Sequence, residues 1–186
     1  MVVVPQGREL RGMIVCITDQ AGQPGLMVLD VASDSSTVLA SADCSWRSVP
    51  AVAPSGERVA LQGADGRLKI VNVRADQTES IGEPISGLIT PRWSPGGSSV
   101  MYELDATTHV VSLDETCGQS SFVAAMAAWM GDGSQIAYVA DNMLHAMDTW
   151  TGEAVQLTDG PERIWGVAAS LDGVHAAYVA SDDVGV

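Results

Sequence analysis

Residues 91–102 read Pro-Arg-Trp-Ser-Pro-Gly-Gly-Ser-Ser-Val-Met-Tyr, and this stretch decides the fold. An apolar strand end runs into a Ser-Pro-Gly-Gly turn, and a second strand begins immediately after the turn. The same design recurs at residues 127–138 and 167–178, and a looser copy lies at residues 51–61. A turn motif that recurs with strands on both sides predicts a protein built from repeated β units.

The turn glycines give the length of the repeat. They are separated by 41, 36 and 40 residues, close to the ~40–45 residues of a propeller blade. This spacing predicts an all-β fold, a β-propeller of four-stranded antiparallel blades, with about 4.5 blades in this chain. The four glycines, to which we assign a structural role in the turns, are Gly56, Gly97, Gly133 and Gly173.

The predicted domain is a single β-propeller over residues 1–186. Its first strand is predicted at residues 2–4. Alanines at residues 122–130 favour a helix by propensity, but the repeat register puts Trp129 at a strand end, and we predict a strand there. The predicted blades cover approximately residues 1–42, 43–84, 85–124 and 125–160, with a partial fifth blade at 161–186.

The predicted third strands each end on an acidic or amide side chain. Asp or Asn at such a point accepts hydrogen bonds from backbone N–H groups two residues on, which makes the turn into the fourth strand. We therefore predict a structural turn role for these four residues, which are Asp30, Asn72, Asp114 and Asp148.

The repeat resembles a known family. The stretches Trp-Ser-Pro-Gly-Gly-Ser-Ser-Val-Met-Tyr and Trp-Met-Gly-Asp-Gly-Ser-Gln-Ile-Ala-Tyr, with the ending Glu-Ala-Val-Gln-Leu-Thr-Asp-Gly, are similar to the WD-type repeat of TolB-like β-propellers. The resemblance covers almost all of residues 11–186 and is strongest in the third and fourth blades. It implies a periplasmic or extracytoplasmic location. Similar repeats occur in the propellers of prolyl-oligopeptidase-like peptidases, so the motif indicates a fold more firmly than a function.

Charge excludes two classes of partner. The chain has 23 acidic residues and 9 Lys or Arg, which gives a net charge of −14. A nucleic-acid surface needs a basic stripe that neutralises phosphates, and an anionic membrane attracts basic segments. We therefore expect neither nucleic-acid binding nor docking on an anionic membrane. The longest uncharged stretch, residues 116–131, does not reach membrane-spanning length, so no membrane insertion is expected either.

Cysteines and the termini carry little information about location. The three cysteines are too few and too scattered for a disulfide framework or a zinc site, and whether Cys16 and Cys44 form a disulfide is left open. The apolar start at residues 1–4 is too short for a secretory signal, and no signal peptide is expected in this chain.

Motifs of catalysis are absent from the sequence. It has no Gly-x-Ser-x-Gly elbow, no His-Glu-x-x-His and no phosphate-binding loop. The three histidines (His109, His145 and His175) are interpreted as lying at dissimilar blade positions, which disfavours a cluster. We expect no catalytic residue, no metal site and no cofactor.

Aromatic residues beside arginine are the remaining candidates. Trp46-Arg47 and Arg163-Ile164-Trp165 each precede the first strand of a predicted blade. Tryptophan and arginine are enriched in the hot spots of protein interfaces. With the arginine of the opening stretch, the predicted partner-binding residues are Trp46, Arg47, Arg92, Arg163 and Trp165.

The last blade stops after two predicted strands. The apolar strand at 175–180 would leave an edge, and proteins cover or close such edges. We expect it to pair with another chain or with residues beyond position 186. The predicted function is a non-catalytic scaffold that presents inter-blade loops to a protein partner or a larger assembly. The alternative is the propeller domain of a hydrolase or peptidase whose catalytic part lies outside this chain.

Overall fold

The computed structural model describes residues 12–113, 119–160, 163–170 and 172–181. These residues form strands joined by tight turns, with no helix among them. The predicted strand at residues 2–4 lies outside the described residues. The alanine-rich stretch is the strand Ala125–Met130, as predicted, because the repeat pattern outweighs helix propensity there. The chain divides into two compact units, which are residues 12–52 with 56–86, and residues 53–55 with 87–181.

The first unit contains two antiparallel sheets. Sheet A consists of the first three described strands and sheet B of the next four, and within each sheet every strand pairs with its neighbour in sequence. Leu26, Leu61 and Val71 belong to the buried cluster between these two sheets. The strands are β1 (Met13–Gln20), β2 (Gln23–Asp30), β3 (Ser35–Leu39), β4 (Ala51–Val52), β5 (Arg58–Gln62), β6 (Leu68–Asn72) and β7 (Gln77–Ile81).

The second unit contains three sheets of the same meandering design. In chain order, the first four strands of this unit form sheet C and the next four form sheet D. The last two form sheet E among the described residues. The strands are β8 (Arg92–Trp93), β9 (Ser99–Leu104), β10 (Thr107–Ser112), β11 (Gln119–Val123), β12 (Ala125–Met130), β13 (Gln135–Ala140), β14 (Met143–Asp148), β15 (Ala154–Gln156), β16 (Arg163–Ala169) and β17 (Ala176–Ser181).

Strand β13 shows how the sheets pack in the second unit. Successive side chains of a strand point to opposite faces. Ile136 and Tyr138 pack into the cluster shared with sheet C, whereas Ala137 and Val139 pack into the cluster with Ile164 of sheet E. A strand that is buried on both faces reads as an uninterrupted apolar run, which explains the sequence Ile-Ala-Tyr-Val-Ala.

The four turn glycines all lie in the left-handed region. Their φ angles are +73° at Gly56, Gly97 and Gly173 and +96° at Gly133. The N–H of Gly97 donates to the Ser94 carbonyl at 2.8 Å, and the same contact recurs at the next two turns. Glycine adopts positive φ at little cost, so the repeated glycine is explained by the turn and needs no functional reason.

The third-strand ends are turns as well. Asp30 Oδ1 accepts hydrogen bonds from the N–H groups of residues 32 and 33, and Asn72 and Asp148 make the same pair of contacts. Asn72 lies opposite Arg58 and Asp148 opposite Gln135. Ser112, opposite Ser99, occupies the corresponding place in sheet C, while Asp114 lies outside the described residues.

Candidate functional site

Trp46-Arg47 is the predicted aromatic–arginine pair of the first unit. These two residues form the tip of a tight turn in which the Ser48 N–H donates to the Ser45 carbonyl at 3.0 Å. Trp46 is 56% exposed and Arg47 is also exposed. The turn therefore exposes a large aromatic side chain and a guanidinium at two adjacent positions.

Buried residues fix this turn from below. Ser48 is buried, accepts a hydrogen bond from the Ser45 N–H at 2.9 Å and donates to the Gln62 carbonyl at 2.5 Å. Cys44, one residue before the turn, is 3% exposed and belongs to the core of the unit. Burial raises the pKa of its thiol. Because the turn is attached to strand β5 and to the core, its tip is held in one place.

Lys69, the only lysine of the chain, supports the same region. It is 7% exposed, and its Nζ donates to Asp65 Oδ2 at 2.8 Å and to Ser80 Oγ at 2.9 Å. Asp43, next to the anchored Cys44, places a carboxylate oxygen 3.9 Å from the same Nζ. The hydrogen bond from Lys69 is the main reason that the pKa of Asp65 lies below its usual value. The local sequence around Lys69 gave no sign that this lysine is buried.

Asp76 holds the strand-to-turn connection that precedes the Trp46-Arg47 turn. Its two carboxylate oxygens accept hydrogen bonds from the N–H groups of Ala40 and Ser41 at 3.1 and 3.0 Å. Hydrogen bonds from Ser41, chiefly from its backbone, hold the pKa of Asp76 below the ordinary value for an aspartate. Bonds that favour the charged form stabilise the fold only while the carboxylate is ionised.

The lowered pKa of Asp76 predicts that the stabilisation it contributes depends on pH in the acid range. A depressed folded-state pKa contributes stability that is present above the unfolded pKa, about 3.9, and is lost as the pH falls through the lower folded value. We expect Asp76→Asn to lower the urea midpoint at pH 7. The difference from the unmodified chain should begin to shrink as the pH falls below the unfolded pKa, about 3.9, and should disappear once the pH lies below the lower folded value. A difference that stays constant over this range would contradict the assignment.

Arg92 is tied into the fold of the second unit. Its guanidinium donates to Glu103 Oε1, and the same carboxylate oxygen accepts the Ala127 N–H at 3.0 Å. The Arg92 carbonyl accepts the Trp129 indole N–H at 3.3 Å. These contacts join sheet C to sheet D, so the charge of Arg92 is compensated inside the unit.

Arg163 and Trp165 come together on sheet E. The prediction that they precede the first strand is wrong, because both lie within strand β16. The Arg163 guanidinium carbon lies 4.2 Å from the centre of the Trp165 ring, and the indole N–H donates to Ser181 Oγ at 2.9 Å. Strand pairing skips Trp165 between Ile164 and Gly166, a bulge that turns its ring outward. Trp165 is 49% exposed. This is the second aromatic–arginine surface, and it belongs to the second unit.

The histidine interpretation from the sequence is wrong for two residues. His109 pairs with Tyr102 in sheet C, and His145 pairs with Tyr138 at the same register position in sheet D. Both imidazoles stack on their tyrosine, with ring centres 4.8 and 5.2 Å apart. The seven-residue spacing from tyrosine to histidine, present twice, was the signal that could have revealed this equivalence.

A serine, an aspartate and a histidine meet in the turn of sheet E. Ser170 Oγ donates to Asp172 Oδ1, and His175 Nδ1 lies 3.7 Å from Asp172 Oδ2. A nucleophilic serine must contact the imidazole that takes its proton. Here Ser170 Oγ instead contacts the backbone N–H and carbonyl of His175. The arrangement closes a hairpin and lacks the order of a catalytic triad.

Two grooves run beside the outer strands, one in each unit. The groove of the first unit has a volume of about 740 Å³ and includes Asp30, Thr37 and Leu39 in its lining. The groove of the second unit, about 510 Å³, has Asp148 and Val155 at the corresponding strand positions. Neither groove has a histidine or cysteine in its described lining, and their ionisable residues include Asp30 in the first and Asp148 and Glu153 in the second.

Across residues 12–113 and the described segments that follow, no three His, Cys, Asp or Glu side chains are grouped so that they could hold a metal ion. No helix in the described part of the chain is long and apolar enough to cross a membrane.

The described residues form successive antiparallel sheets of up to four strands. Within each sheet every strand pairs with its neighbour in sequence, and a repeated glycine turn joins the first and second strands. These features define the β-propeller class of fold. Solved structures agree with this assignment. The β-propeller domain of Cps50 (Swd1) from Myceliophteria thermophila superposes with a TM-score of 0.59 at 17% sequence identity, over 86% of this chain and 60% of that one.

TolB from Acinetobacter baumannii is also similar, with a TM-score of 0.58 and 16% identity over 94% of this chain. The chain spans 48% of the TolB chain's length. No family model matches the sequence, and no curated protein matches it. At this level of identity the two structures show the fold: the chain has a β-propeller fold of four-stranded antiparallel sheets.

Proposed function

We propose that this chain is a non-catalytic scaffold that presents inter-blade loops to a protein partner. The observation that carries the proposal is the anchored turn at Trp46-Arg47. An exposed tryptophan beside an arginine has the composition of an interface hot spot. Because Ser48 and Cys44 fix the turn before any partner arrives, little conformational entropy is lost on binding.

Arg163 and Trp165 form a second surface in the proposal. The stacked guanidinium restrains the exposed ring, and a restrained aromatic is a favourable anchor for the same reason. Arg92 was predicted together with these residues. Because its guanidinium forms an ion pair with Glu103, we expect a substitution of Arg92 to affect the stability of the fold first. We therefore rank Arg92 below the other four residues.

The outer edge of β17 is a third element of the proposal. Among the described residues β17 pairs only with β16, and Tyr178 and Val179 are 41% and 66% exposed. An added strand would satisfy the free backbone groups of this edge. Such a strand is expected from another chain or from further residues of the same protein.

A photo-crosslinking experiment tests the scaffold proposal. A benzoyl-phenylalanine is placed at Trp46, and at Trp150, which is 78% exposed, as a matched control. We expect a discrete crosslinked partner from position 46 in native extract and none from position 150. With the captured partner purified, Trp46→Ala is expected to weaken its binding by about 30-fold, as a hot-spot tryptophan does.

Two results would remove the proposal. Equal crosslinking at positions 46 and 150 would mean that position 46 is simply exposed. An unchanged affinity of Trp46→Ala, with circular dichroism and thermal midpoint also unchanged, would mean that the turn is not an interface.

A further inference from the structure

Within the part of the chain that the structure describes, Arg47 has no acidic partner, unlike Arg67 and Arg74. Arg67 lies 3.9 Å from Glu83, and Arg74 lies 3.4 Å from Glu57. By contrast, within the described residues no carboxylate forms an ion pair with Arg47, whose only hydrogen bond is from its backbone N–H to Ser45 Oγ at 3.3 Å. In a chain with 23 acidic residues and 9 Lys or Arg, an exposed arginine left without a carboxylate is unexpected.

Two carboxylates of the same unit are paired with Lys69 instead of with Arg47. Asp43 and Asp65 both have an oxygen within 4 Å of the Lys69 ammonium. Their charge is therefore compensated inside the unit. The guanidinium at the tip of the turn keeps its full capacity for two parallel hydrogen bonds to an incoming carboxylate.

The indole beside it offers the complementary surface. Trp46 is 56% exposed, and a tryptophan that is half in solvent gains by covering its ring with an apolar side chain. The two groups are adjacent in sequence at one turn, so a short segment contacts both when an apolar and an acidic residue follow one another.

We propose that the Trp46-Arg47 turn binds a partner segment in which an Asp or Glu lies next to an apolar residue. The carboxylate pairs with the Arg47 guanidinium, and the apolar side chain packs on the Trp46 ring. The net charge of −14 opposes an acidic partner as a whole. Screening reduces that repulsion beyond about 8 Å at physiological salt, so a single contacting carboxylate is tolerated on a segment that is otherwise neutral or basic.

This inference rests on the proposed scaffold function and names the chemistry of its partner. The probes are three blocked eight-residue peptides of Gly and Ser that differ only at their centre, which is Leu-Asp, Leu-Asn or Leu-Lys. They are titrated at millimolar concentrations against the full chain, and NMR follows two sets of signals: the indole N–H of Trp46, assigned with Trp46→Ala, and the backbone N–H groups of residues 45–48, which remain present in every variant.

We expect the Leu-Asp peptide to bind about fivefold tighter than the Leu-Asn peptide, the upper end for an exposed ion pair. Arg47→Gln should make the two affinities equal, and Trp46→Ala should abolish binding of both. Arg74→Gln, which removes another exposed arginine, serves as the matched control and should leave the fivefold preference intact.

The outcomes separate the two levels of the proposal. Equal affinity for the Asp and Asn peptides, preference for the Lys peptide, or no binding of any of the three overturns the carboxylate inference, while crosslinking at position 46 still supports the scaffold. Absence of crosslinking at position 46 overturns the scaffold function itself, whatever the peptides do.

Discussion

Gly173→Ala is expected to lower the free energy of unfolding by about 2–5 kcal/mol, the sum of two separate costs. Gly173 has a φ of +73°, where a residue with a Cβ is strained by about 1–2 kcal/mol. An added Cβ would also lie 2.9 Å from the Gly131 Cα and 3.3 Å from its nitrogen. Backbone atoms cannot rotate away, and overpacking of this kind costs typically about 1–3 kcal/mol.

Gly97→Ala is the matched control for this change. Gly97 has the same φ of +73° in the same unit, but its added Cβ would meet only Pro54 Cδ at 3.6 Å, an ordinary contact. We expect Gly97→Ala to cost about 1–2 kcal/mol, from the backbone strain alone. Urea denaturation and hydrogen exchange of the β13 and β16 amides measure both. Equal losses in the two variants would contradict the close approach of Gly173 to Gly131.

The fold was predictable because its signal is repeated. A single Ser-Pro-Gly-Gly turn is weak evidence, but the copies at Gly97, Gly133 and Gly173 share their strand residues at fixed distances. Those distances follow from hairpin geometry, and the same geometry sets the positive φ at each glycine. Sequence therefore predicted the strand order and the turns in advance.

The error over the histidines came from comparing residue types along the sequence instead of positions across strands. His109 and His145 were interpreted as lying at dissimilar positions, although each lies opposite a tyrosine of the preceding strand. In sheet C the residue opposite Ser99 is Ser112, and the turn role of Asp114 stays a prediction because that residue lies outside the described part of the chain. Partners across a strand pair depend on turn lengths, which a search for similar residue types does not measure.

The candidate site was only partly predictable. Trp46 and Arg47 were selected by their composition and their position before a first strand, but the anchoring by Ser48 depends on Gln62, fourteen residues away. Arg92 looked similar in sequence and is instead compensated by Glu103. Long-range contacts decide which of two similar arginines is available, and a local pattern contains no information about them.

The second large expected effect is on the free energy of unfolding and concerns Lys69 and its partner Asp65. We expect removal of the Asp65 charge to destabilise the fold more than removal of the buried lysine. Asp65→Asn keeps the shape of the side chain and an acceptor for the Arg67 N–H, which Asp65 Oδ1 accepts at 3.0 Å. It leaves the buried Lys69 ammonium with only Ser80 Oγ in hydrogen-bond range and Asp43 at 3.9 Å. Breaking a buried pair costs up to about 3–5 kcal/mol. Since Asp65 is 40% exposed, we expect a loss of about 1–3 kcal/mol.

Lys69→Met should cost less, about 1 kcal/mol or below, although it removes the only lysine. Methionine fills a similar volume among buried neighbours, and the carboxylates left behind are 40% and 57% exposed and stay hydrated. The double variant Asp65→Asn with Lys69→Met should therefore be more stable than Asp65→Asn alone. Urea unfolding of the three variants forms a double-mutant cycle. The assignment fails if Lys69→Met costs as much as Asp65→Asn, because the ammonium would then be contributing net stability instead of requiring its partner.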